Sequence, residues 1–494
     1  MKKVLSIALL ITLLLANVSC SSSKPSANTD NTTGNTADTT TEAAETDIYD
    51  SLPKRDLNGM EIKIFGYGAS QSYVDSETFE AEQTGEPIDD AVYQRNIDTE
   101  NRLGIKIVYD YSFSERDSVS TFTQSIMAGD DLCDTYAIKA VDAGQIITSG
   151  TVMPWNDIKG INLDNPWYVQ DANEQIKLGE SQYGILSDAC ATNTTMCWVW
   201  VFNKRLIDEW NVEDPYSMVK SGSWTMDNAY AITKDIWSDL NGNNEHDAED
   251  LYGFYTDAFA SIDAFMVSHG IHSMGRDENN YPTLDFYSEK LVTSFEKIYN
   301  LYWNNPGAYV DTAQPYEYRV QFANGQSVFS PMLLNYLIGT DLRSMKDDYG
   351  VLPYPKFDEE QEDYMTHMLG RTGVLFLPIN ISGEKQEVIG DGIECLSAYS
   401  YKYMRPAIYD VSLTGKGVRD DDSIEMLNLI MDSRTYDFSM FLEASFSFPF
   451  SPMNAFRNNL AKKDINITSF YDSKKSSAES FLEDLIEKIQ EQEK

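Results

Sequence analysis

The folded part of the chain opens with short runs in which apolar and polar residues alternate. Residues 60–66, MEIKIFG, and residues 105–111, IKIVYDY, both show this period of two, which predicts two strands. Residues 88–103 begin with acids and are followed by Gly104, an arrangement that bounds a helix. A strand, a helix and a second strand in this order predict an α/β fold that begins with a parallel sheet.

Later segments continue the same mixture of elements. Residues 119–128, VSTFTQSIMA, predict a helix, and residues 135–141, TYAIKAV, predict a buried strand. Residues 373–379, GVLFLPI, are strand-like and precede a helical pattern over residues 386–404. Apolar side chains at helical spacing in residues 478–492 predict an amphipathic helix that docks on the body of the protein.

The first 20 residues have the parts of a secretory signal: a basic start, the apolar run VLSIALLITLLL and the small-residue end ANVSC. The apolar run is shorter than the ~20 residues that span a bilayer. Ser19 followed by Cys20 resembles the lipobox of bacterial lipoproteins, with Asn17 where leucine is usual. We predict a signal peptide over residues 1–19 and lipidation of Cys20. The alternative is an ordinary signal peptide with an incidental cysteine.

Residues 20–50 contain very few apolar side chains. Such a segment cannot offset the entropy cost of ordering, so we predict a disordered tether. Behind a lipidated Cys20, the tether would hold the folded body at the cell membrane, on the extracellular face or in the periplasm. We expect the lipid anchor to be the only contact with the membrane.

The length of the chain indicates how many lobes it forms, and its net charge limits the partners it can bind. A single core tends to split beyond ~250–300 residues, so the rest of this 494-residue chain predicts two lobes. The formal net charge of −40 repels phosphates, which argues against nucleic acid as a partner. Cys190 and Cys197 are close in sequence, and either a disulfide between them or buried thiols fits the spacing.

Several segments, in their order along the chain, resemble the extracellular solute-binding proteins (family 1) of ABC importers. The resemblance is to the carbohydrate-binding branch that includes the maltodextrin-binding protein. The segments are QRNIDTENRLGIKI, MAGDDLCDTYAI, SGTVMPWNDI, NPWYVQDANEQI, FANGQSVFSPM and YGVLPYPKFDEE, and the longer runs that begin at WVFNKRLIDEW and SYKYMRPAIYD.

The resemblance implies a two-lobed, periplasmic-binding-protein-like (type II) α/β fold. Each lobe would be a mixed or parallel sheet flanked by helices, and a hinge would join the lobes. Lobe 1 would comprise residues 57–160 and 365–403, and lobe 2 residues 161–364 and 404–494. The resemblance also implies a monomer that captures a carbohydrate in the interlobe cleft and delivers it to the transmembrane subunits of an ABC permease.

Carbohydrate binding needs flat aromatic rings for the C–H faces of the sugar and carboxylates or amides for its hydroxyls. Ligands in α/β lobes lie at the carboxyl ends of strands, so the loops after strands are the candidates. The predicted ligand-binding residues are Tyr67, Ser70, Asp142, Trp198, Tyr255, Asp257 and Phe259. Structural roles compete with each prediction: a glycine-rich turn at residues 66–73, a helix cap at Asp142 and core packing for the others.

A polar stretch, DLNGNNEHDAED, spans residues 239–250 and matches the spacing of an EF-hand calcium loop. The predicted calcium ligands are Asp239, Asn241, Asn243, the backbone carbonyl of Glu245, Asp247 and Asp250. Position six is Asn244 instead of glycine, and position twelve is Asp250 instead of the longer glutamate. A structural calcium ion and a solvated polar turn therefore both remain possible.

Three other functions stay open. A secreted glycoside hydrolase would need two flanking carboxylates, but 78 acids make such pairs uninformative. No Gly-x-Ser-x-Gly motif is present, so we expect a binding protein without catalytic residues. A peptide-binding protein would need a cation for the peptide carboxylate, for which Arg276, Arg319 and Arg371 are candidates. A protein that presents its ligand to a membrane sensor is the third possibility.

Overall fold

The structure is a computed structural model that describes residues 47–66, 79, 81–110, 115–313, 315–339, 342, 344–413 and 421–492. The predicted signal peptide, Cys20 and most of the predicted tether lie outside these residues. The chain from Ile48 onward forms one compact unit. Among the described residues, no helix has the length and apolar character needed to cross a membrane.

Sixteen strands are seen in the described residues and are numbered β1 to β16 in chain order. They are Met60–Phe65, Ile105–Asp110, Thr135–Lys139, Val152–Met153, Gly184–Ile185, Trp198–Asn203, Trp237–Ser238, Leu251–Asp257, Met274–Arg276, Pro282–Leu284, Ala308–Asp311, Ser327–Leu333, Tyr349–Leu352, Thr366–His367, Gly373–Pro378 and Arg434–Thr435.

Helices separate most of these strands. The α-helices are Pro87–Leu103, Glu115–Ala128, Ala143–Thr148, Gln170–Gln175, Thr192–Thr195, Lys204–Glu209, Pro215–Ser221, Met226–Thr233, Ala264–Ser268, Glu289–Trp303, Tyr318–Ala323, Leu334–Ile338, Glu384–Tyr399, Arg405–Leu413, Asp421–Asp432, Glu443–Phe446, Asn458–Leu460 and Ile467–Gln492. Short 3-10 helices span Ile48–Ser51, Ala140–Asp142, Ala260–Ile262 and Phe438–Leu442, and π-helical turns span Ser400–Met404 and Pro452–Arg457.

Two six-stranded mixed sheets organise the fold, which confirms the predicted α/β class. The first sheet has the order β2-β1-β3-β15-β4, with β5 also paired to β15. The second has the order β11-β8-β12-β6-β13, with β7 paired to β8. The predicted opening elements are confirmed, and Gly104 ends the helix Pro87–Leu103 in the left-handed conformation expected of a C-terminal glycine.

The core is continuous between the sheets. Its larger cluster includes Trp200 and Phe254 of the second sheet and Tyr136 of the first, all fully buried. A smaller cluster around Ile62 and Leu375 covers the first sheet on its other side. Cys133, Cys190, Cys197 and Cys395 are free thiols, and each is buried in this core. The structure therefore contains no disulfide between Cys190 and Cys197.

The strand pairings place one edge of each sheet beside the same connecting segments. In the first sheet, the carboxyl ends of the parallel strands β1, β2 and β3 lie where β15 begins, because Gly373 pairs with Lys139. In the second sheet, the carboxyl ends of β8, β11 and β12 lie where β6 begins, because Leu333 pairs with Trp198. We call these the carboxyl edges of the two sheets.

Three connections link the sheets. Residues 186–197 run from β5 to β6, and residues 353–372 run from β13 to β15. Residues 400–413 form the third connection, which contacts Pro87–Leu103 on one side and Leu334–Ile338 on the other. The first two connections run directly between the two carboxyl edges.

The lobe boundaries given above remain a prediction, and two features bear on them. Strand β5, at Gly184–Ile185, pairs with β15 and so belongs to the first sheet, although the prediction assigns residues 161–364 to lobe 2. The C-terminal part of the chain contacts both sides: Phe438–Leu442 packs on Ala140–Asp142, and Pro452–Arg457 packs on Ala260–Ile262. Sequence periodicity could not reveal either contact, because both depend on long-range packing.

A buried ionic network ties the three connections together. The Arg434 Nη1 atom lies 3.0 Å from an Asp188 carboxylate oxygen, and both side chains are only 2 % exposed. Arg405 Nε lies 3.5 Å from the other Asp188 oxygen. The Arg434 guanidinium also donates to the carbonyls of Asn193 and Met431. Asp188 lies on the first connection, Arg405 on the third, and Arg434 on β16, which pairs with β14 of the second.

Candidate ligand-binding site

Three aromatic side chains meet at the carboxyl edge of the second sheet. Phe259 follows β8, Tyr316 follows β11 and Tyr336 follows β12. The rings of Phe259 and Tyr316 are edge-to-face with their centroids 5.4 Å apart, and those of Tyr316 and Tyr336 are edge-to-face at 6.1 Å. Phe259 and Tyr316 are half-buried, so both retain contact with solvent. We call these three residues the aromatic cluster.

Asp257 holds two loops of this cluster in place. One of its carboxylate oxygens accepts the backbone N–H of Phe259 at 3.1 Å, and the other accepts the backbone N–H of Tyr316 at 2.7 Å. The side chain is 1 % exposed. Burial raises the pKa of Asp257 to about 6, against the lowering effects of the two N–H groups and of Arg457. The carboxylate predicted to bind ligand hydroxyls is thus occupied by backbone donors.

Arginines surround the cluster. The guanidinium of Arg319 lies 4.3 Å from the ring centroid of Tyr336, and its Nε donates to the carbonyl of Tyr316 at 2.9 Å. Arg457 lies 4.7 Å from the ring centroid of Phe259 and forms a bidentate pair with the buried carboxylate of Asp263. Each guanidinium therefore lies over one ring of the cluster, where cation–π contacts add to packing.

The carboxyl edge of the first sheet carries a carboxylate, Asp142, and a cation, Arg371. Asp142 is half-buried at the end of the turn after β3, and its side chain does not cap the helix Ala143–Thr148. Arg371 lies just before β15 on the second connection. Burial raises the pKa of Tyr316 to about 12, while the positive charges of Arg457 and Arg371 lower it. This electrostatic effect indicates that Arg371 lies near the aromatic cluster.

Among the remaining predicted ligand-binding residues, Trp198 and Tyr255 do not join this cluster. Tyr67 and Ser70 lie outside the described residues. Trp198 is fully buried, with its ring edge-to-face against Tyr354 at 6.4 Å, so it packs in the core. Tyr255 is also fully buried, and its hydroxyl donates to the carbonyl of Ala248. Both residues lie within strands of the second sheet, where the whole side chain is buried against its neighbours.

The peptide-carboxylate candidates have partners in the fold. Arg276 donates to the backbone carbonyls of Gln175, Lys177 and Asn280. Arg319 stacks on Tyr336, as described above. The guanidinium of Arg276 therefore links the hairpin of β9 and β10 to residues 175–177. Because its N–H groups already donate to these carbonyls, it is unsuited to bind the carboxylate of a peptide.

The polar loop at residues 239–250 is closed by hydrogen bonds. The Asn241 and Asn243 amides reach the same oxygen of Asp247, at 3.0 and 2.6 Å. The Asp239 carboxylate accepts the N–H groups of Gly242 and Asn244. Asn244 has a φ of 60°, so it supplies the left-handed turn that this position requires.

Asp250 differs from the predicted closing ligand. It is fully buried, and it accepts the Leu240 N–H at one oxygen and the Trp237 indole N–H at the other, both at 3.1 Å. Its carboxylate anchors the loop to the strand β7. No group of three or more His, Cys, Asp or Glu side chains within the described ranges is placed to hold a metal ion.

A buried acid close to Arg457, Glu443, predicts a pH effect on stability. Burial raises the pKa of Glu443 to about 7. Because this value exceeds that of the unfolded chain, the neutral form favours folding below pH ~4.5, and this contribution is lost as the pH rises through about 7. We expect Glu443→Gln to match the wild type at pH 5 and to exceed it by roughly 1–2 kcal/mol at pH 8 in urea unfolding. An equal difference at both pH values would contradict this expectation.

Tyr316 and Tyr336 were not predicted from the sequence. The sequence does contain a signal for Tyr336. Residues 327–333, SVFSPML, form a mostly apolar run typical of a buried strand, and the tyrosine follows three residues later. Tyr316 belongs to the short stretch QPYEYR, which shows no such pattern. Only the pairing of β11 with β8 brings its loop to Asp257.

Several proteins of known structure have a fold similar to that of this chain. An ABC substrate-binding protein from Listeria monocytogenes in complex with cycloalternan is 12 % identical, with a TM-score of 0.52, over 84 % of this chain and 99 % of that one. A cyclic α-maltosyl-1,6-maltose binding protein from Arthrobacter globiformis is 12 % identical, with a TM-score of 0.54, over 86 % and 100 %. The galacto-N-biose-/lacto-N-biose I-binding protein of an ABC transporter from Bifidobacterium longum, in complex with lacto-N-biose, is 10 % identical, with a TM-score of 0.52, over 87 % and 99 %.

No protein-family model matches the sequence, and no curated protein matches it. At identities of 10–12 % the structural similarity establishes the fold alone. The chain has the fold of ABC solute-binding proteins, as the sequence resemblance implied, and nearly the whole length of each of these structures is covered.

Proposed function

We propose that the protein captures a carbohydrate, an oligosaccharide in particular, in the cleft between the two carboxyl edges and delivers it to an ABC permease. The aromatic cluster of Phe259, Tyr316 and Tyr336 carries this proposal. The half-buried rings of Phe259 and Tyr316, at the carboxyl ends of two adjacent strands, offer apolar faces for sugar rings, and the buried ring of Tyr336 packs against Tyr316. Asp142 on the opposite edge offers an acceptor for hydroxyls.

The proposal draws on the fold as well as on the cluster. The three neighbours described above are binding proteins: two are named for the saccharide they bind, and the third is in complex with cycloalternan. We propose that this chain also binds without a catalytic step, and that closure of the cleft is favoured by contacts that form only when both edges touch the ligand. The permease would recognise the closed form.

The proposed location follows from the N-terminal residues. Lipidation at Cys20 would anchor a monomeric protein to the membrane, with residues 21–50 as the tether, outside the cytoplasm. Mass spectrometry of the membrane-extracted protein tests this proposal. A diacylglyceryl group on Cys20 as the first residue is expected, and an unmodified mature N-terminus elsewhere would contradict it.

Calorimetric titration with a panel of neutral oligosaccharides and peptides tests the capture of carbohydrate. We expect one oligosaccharide to bind per chain with a micromolar Kd, a free energy of about −8 kcal/mol. The titrated mixture is then examined for shorter sugars. Release of shorter sugars would favour a glycoside hydrolase, and binding confined to peptides would favour a peptide-binding protein.

We also propose a structural calcium ion in the loop at residues 239–250. Its ligands would be Asp239, Asn241, Asn243, Asp247 and the Glu245 carbonyl, with Asp250 as an anchor instead of a ligand. The convergence of the two Asn side chains on Asp247 supports this set, because rotation of an amide exchanges its nitrogen for its oxygen.

Calcium binding predicts a dependence of stability on the free ion. At a calcium concentration 100 times the Kd, binding should add about 2.7 kcal/mol to the free energy of unfolding, and chelation should remove it. Thermal unfolding in calcium and in EDTA measures this difference. The variant Asp239→Ala serves as the control, since its Tm should not respond to calcium. A wild-type Tm unchanged by EDTA would reject the ion.

A further inference from the structure

We propose that Asp257 is a positioning residue for ligand binding, which acts by fixing Tyr316 and Phe259 and not by touching the ligand. This inference rests on the proposed function of the cleft. It assigns to Asp257 a role different from the direct ligand contact that its place at the end of β8 predicts. The role follows from the two backbone hydrogen bonds of its carboxylate and from the conformation of Tyr316.

Tyr316 has a φ of 69°, in the left-handed region that bulky side chains rarely adopt. Such a conformation costs of order 1–3 kcal/mol and persists only where the surroundings impose it. The 2.7 Å hydrogen bond from its N–H to Asp257 Oδ2 is the contact that imposes it here. The carbonyl of Tyr316 accepts from Arg319 Nε at 2.9 Å, so both sides of this residue are fixed.

The carboxylate of Asp257 joins two separate loops. It lies at the end of β8, where Asp257 pairs in register with Asp311 at the end of β11. One oxygen holds the loop after β8 through Phe259, and the other holds the loop after β11 through Tyr316. The edge-to-face contact of the two rings therefore depends on one buried side chain.

A charged acceptor suits this position. Hydrogen bonds to a charged group are stronger than those between neutral groups. Replacement by Asn keeps the size of the side chain but leaves an amide N–H₂ facing one of the two backbone N–H groups. Because the second N–H would then have no acceptor, one of the two loops should be released.

Hydrogen exchange tests the contact without any ligand. In the wild type, the Tyr316 amide should exchange slowly, and in Asp257→Asn it should exchange faster. Should Asp257→Asn fail to fold, Asp257→Ser takes its place, because it also removes the charge. Equal exchange rates at Tyr316 in the variant and the wild type would overturn the proposed contact, whatever the ligand of the protein.

A double-mutant cycle tests the role in binding. Asp257→Asn should weaken oligosaccharide affinity about tenfold in the wild type and should have a clearly smaller effect in the Tyr316→Ala background, because part of its effect acts through the Tyr316 ring. Additive losses would overturn the positioning role. If the wild type binds no oligosaccharide, the proposed function of the cleft fails, whereas the exchange rates still report on the contact.

Asp134→Asn is the matched control. Asp134 is also 1 % exposed, and it accepts the Lys63 N–H at 2.8 Å and pairs with Lys385 at 2.9 Å. It lies just before β3, at the end of the first sheet away from the cleft. This variant should lose stability but keep its affinity for the ligand, which separates positioning from general destabilisation. A matching loss of affinity in the control would overturn the assignment.

Discussion

Arg434→Met is expected to lower the free energy of unfolding by about 3–5 kcal/mol. The pair of Arg434 and Asp188 is buried on both sides, with 3.0 Å between its atoms. Removing the guanidinium leaves the Asp188 carboxylate with Arg405, 3.5 Å away, as its remaining charged partner in the network. The carbonyls of Asn193 and Met431 lose their donor as well. Urea unfolding followed by circular dichroism measures the loss.

Two further variants show whether burial causes the effect. Lys220→Met removes an ion pair whose partners, Asp422 and Glu425, are well exposed, and it should change stability very little. The double variant Asp188→Asn with Arg434→Met should lose less than the sum of its single variants, because each single variant already breaks the same pair. Equal losses for the buried and the exposed pair would contradict a special role of this network.

Tyr316→Ala is expected to raise the Kd for an oligosaccharide about 10–100-fold. The ring is half-buried, stands edge-to-face to Phe259 and lies at the carboxyl edge where a ligand in this fold is expected. Replacement by Ala removes the apolar face without disturbing a buried polar network, since the hydrogen bonds of this residue involve its backbone. Calorimetric titration measures the change.

Tyr309→Ala is the control for this variant. Tyr309 is a half-buried tyrosine of the same sheet, but it packs on Tyr252 and Tyr255, away from the aromatic cluster. Its loss should leave the Kd unchanged. Equal losses of affinity in both variants would mean that the general stability of the sheet, and not contact with the ligand, governs binding.

The elements at the start of the fold were predicted from the local pattern of apolar and polar residues. The period of two in residues 60–66 and 105–111 marks β1 and β2, and the acids and glycine around residues 88–103 mark the helix between them. These signals lie within a few residues of the chain. The pairing of Gly184–Ile185 with β15 joins residues almost 200 positions apart and leaves no local signal.

The binding site was predicted less completely, for a related reason. Phe259 and Asp142 follow recognisable strands, and the structure places both at carboxyl edges. Trp198 and Tyr255 are also aromatic, but they face the core. Their strands are buried at every position, so no alternation of apolar and polar residues shows which way a side chain points. Tyr316 depends on a left-handed turn that its own sequence does not favour.

A crystal structure of the protein with a bound oligosaccharide tests the central proposal most directly. We predict a sugar ring against the face of Tyr316 or Phe259 and a hydroxyl within hydrogen-bonding distance of Asp142. Asp257 should keep its two backbone hydrogen bonds and should not touch the sugar. A sugar bound away from the carboxyl edges, or a cleft that stays empty at a saturating concentration of a sugar shown to bind, would contradict the proposal.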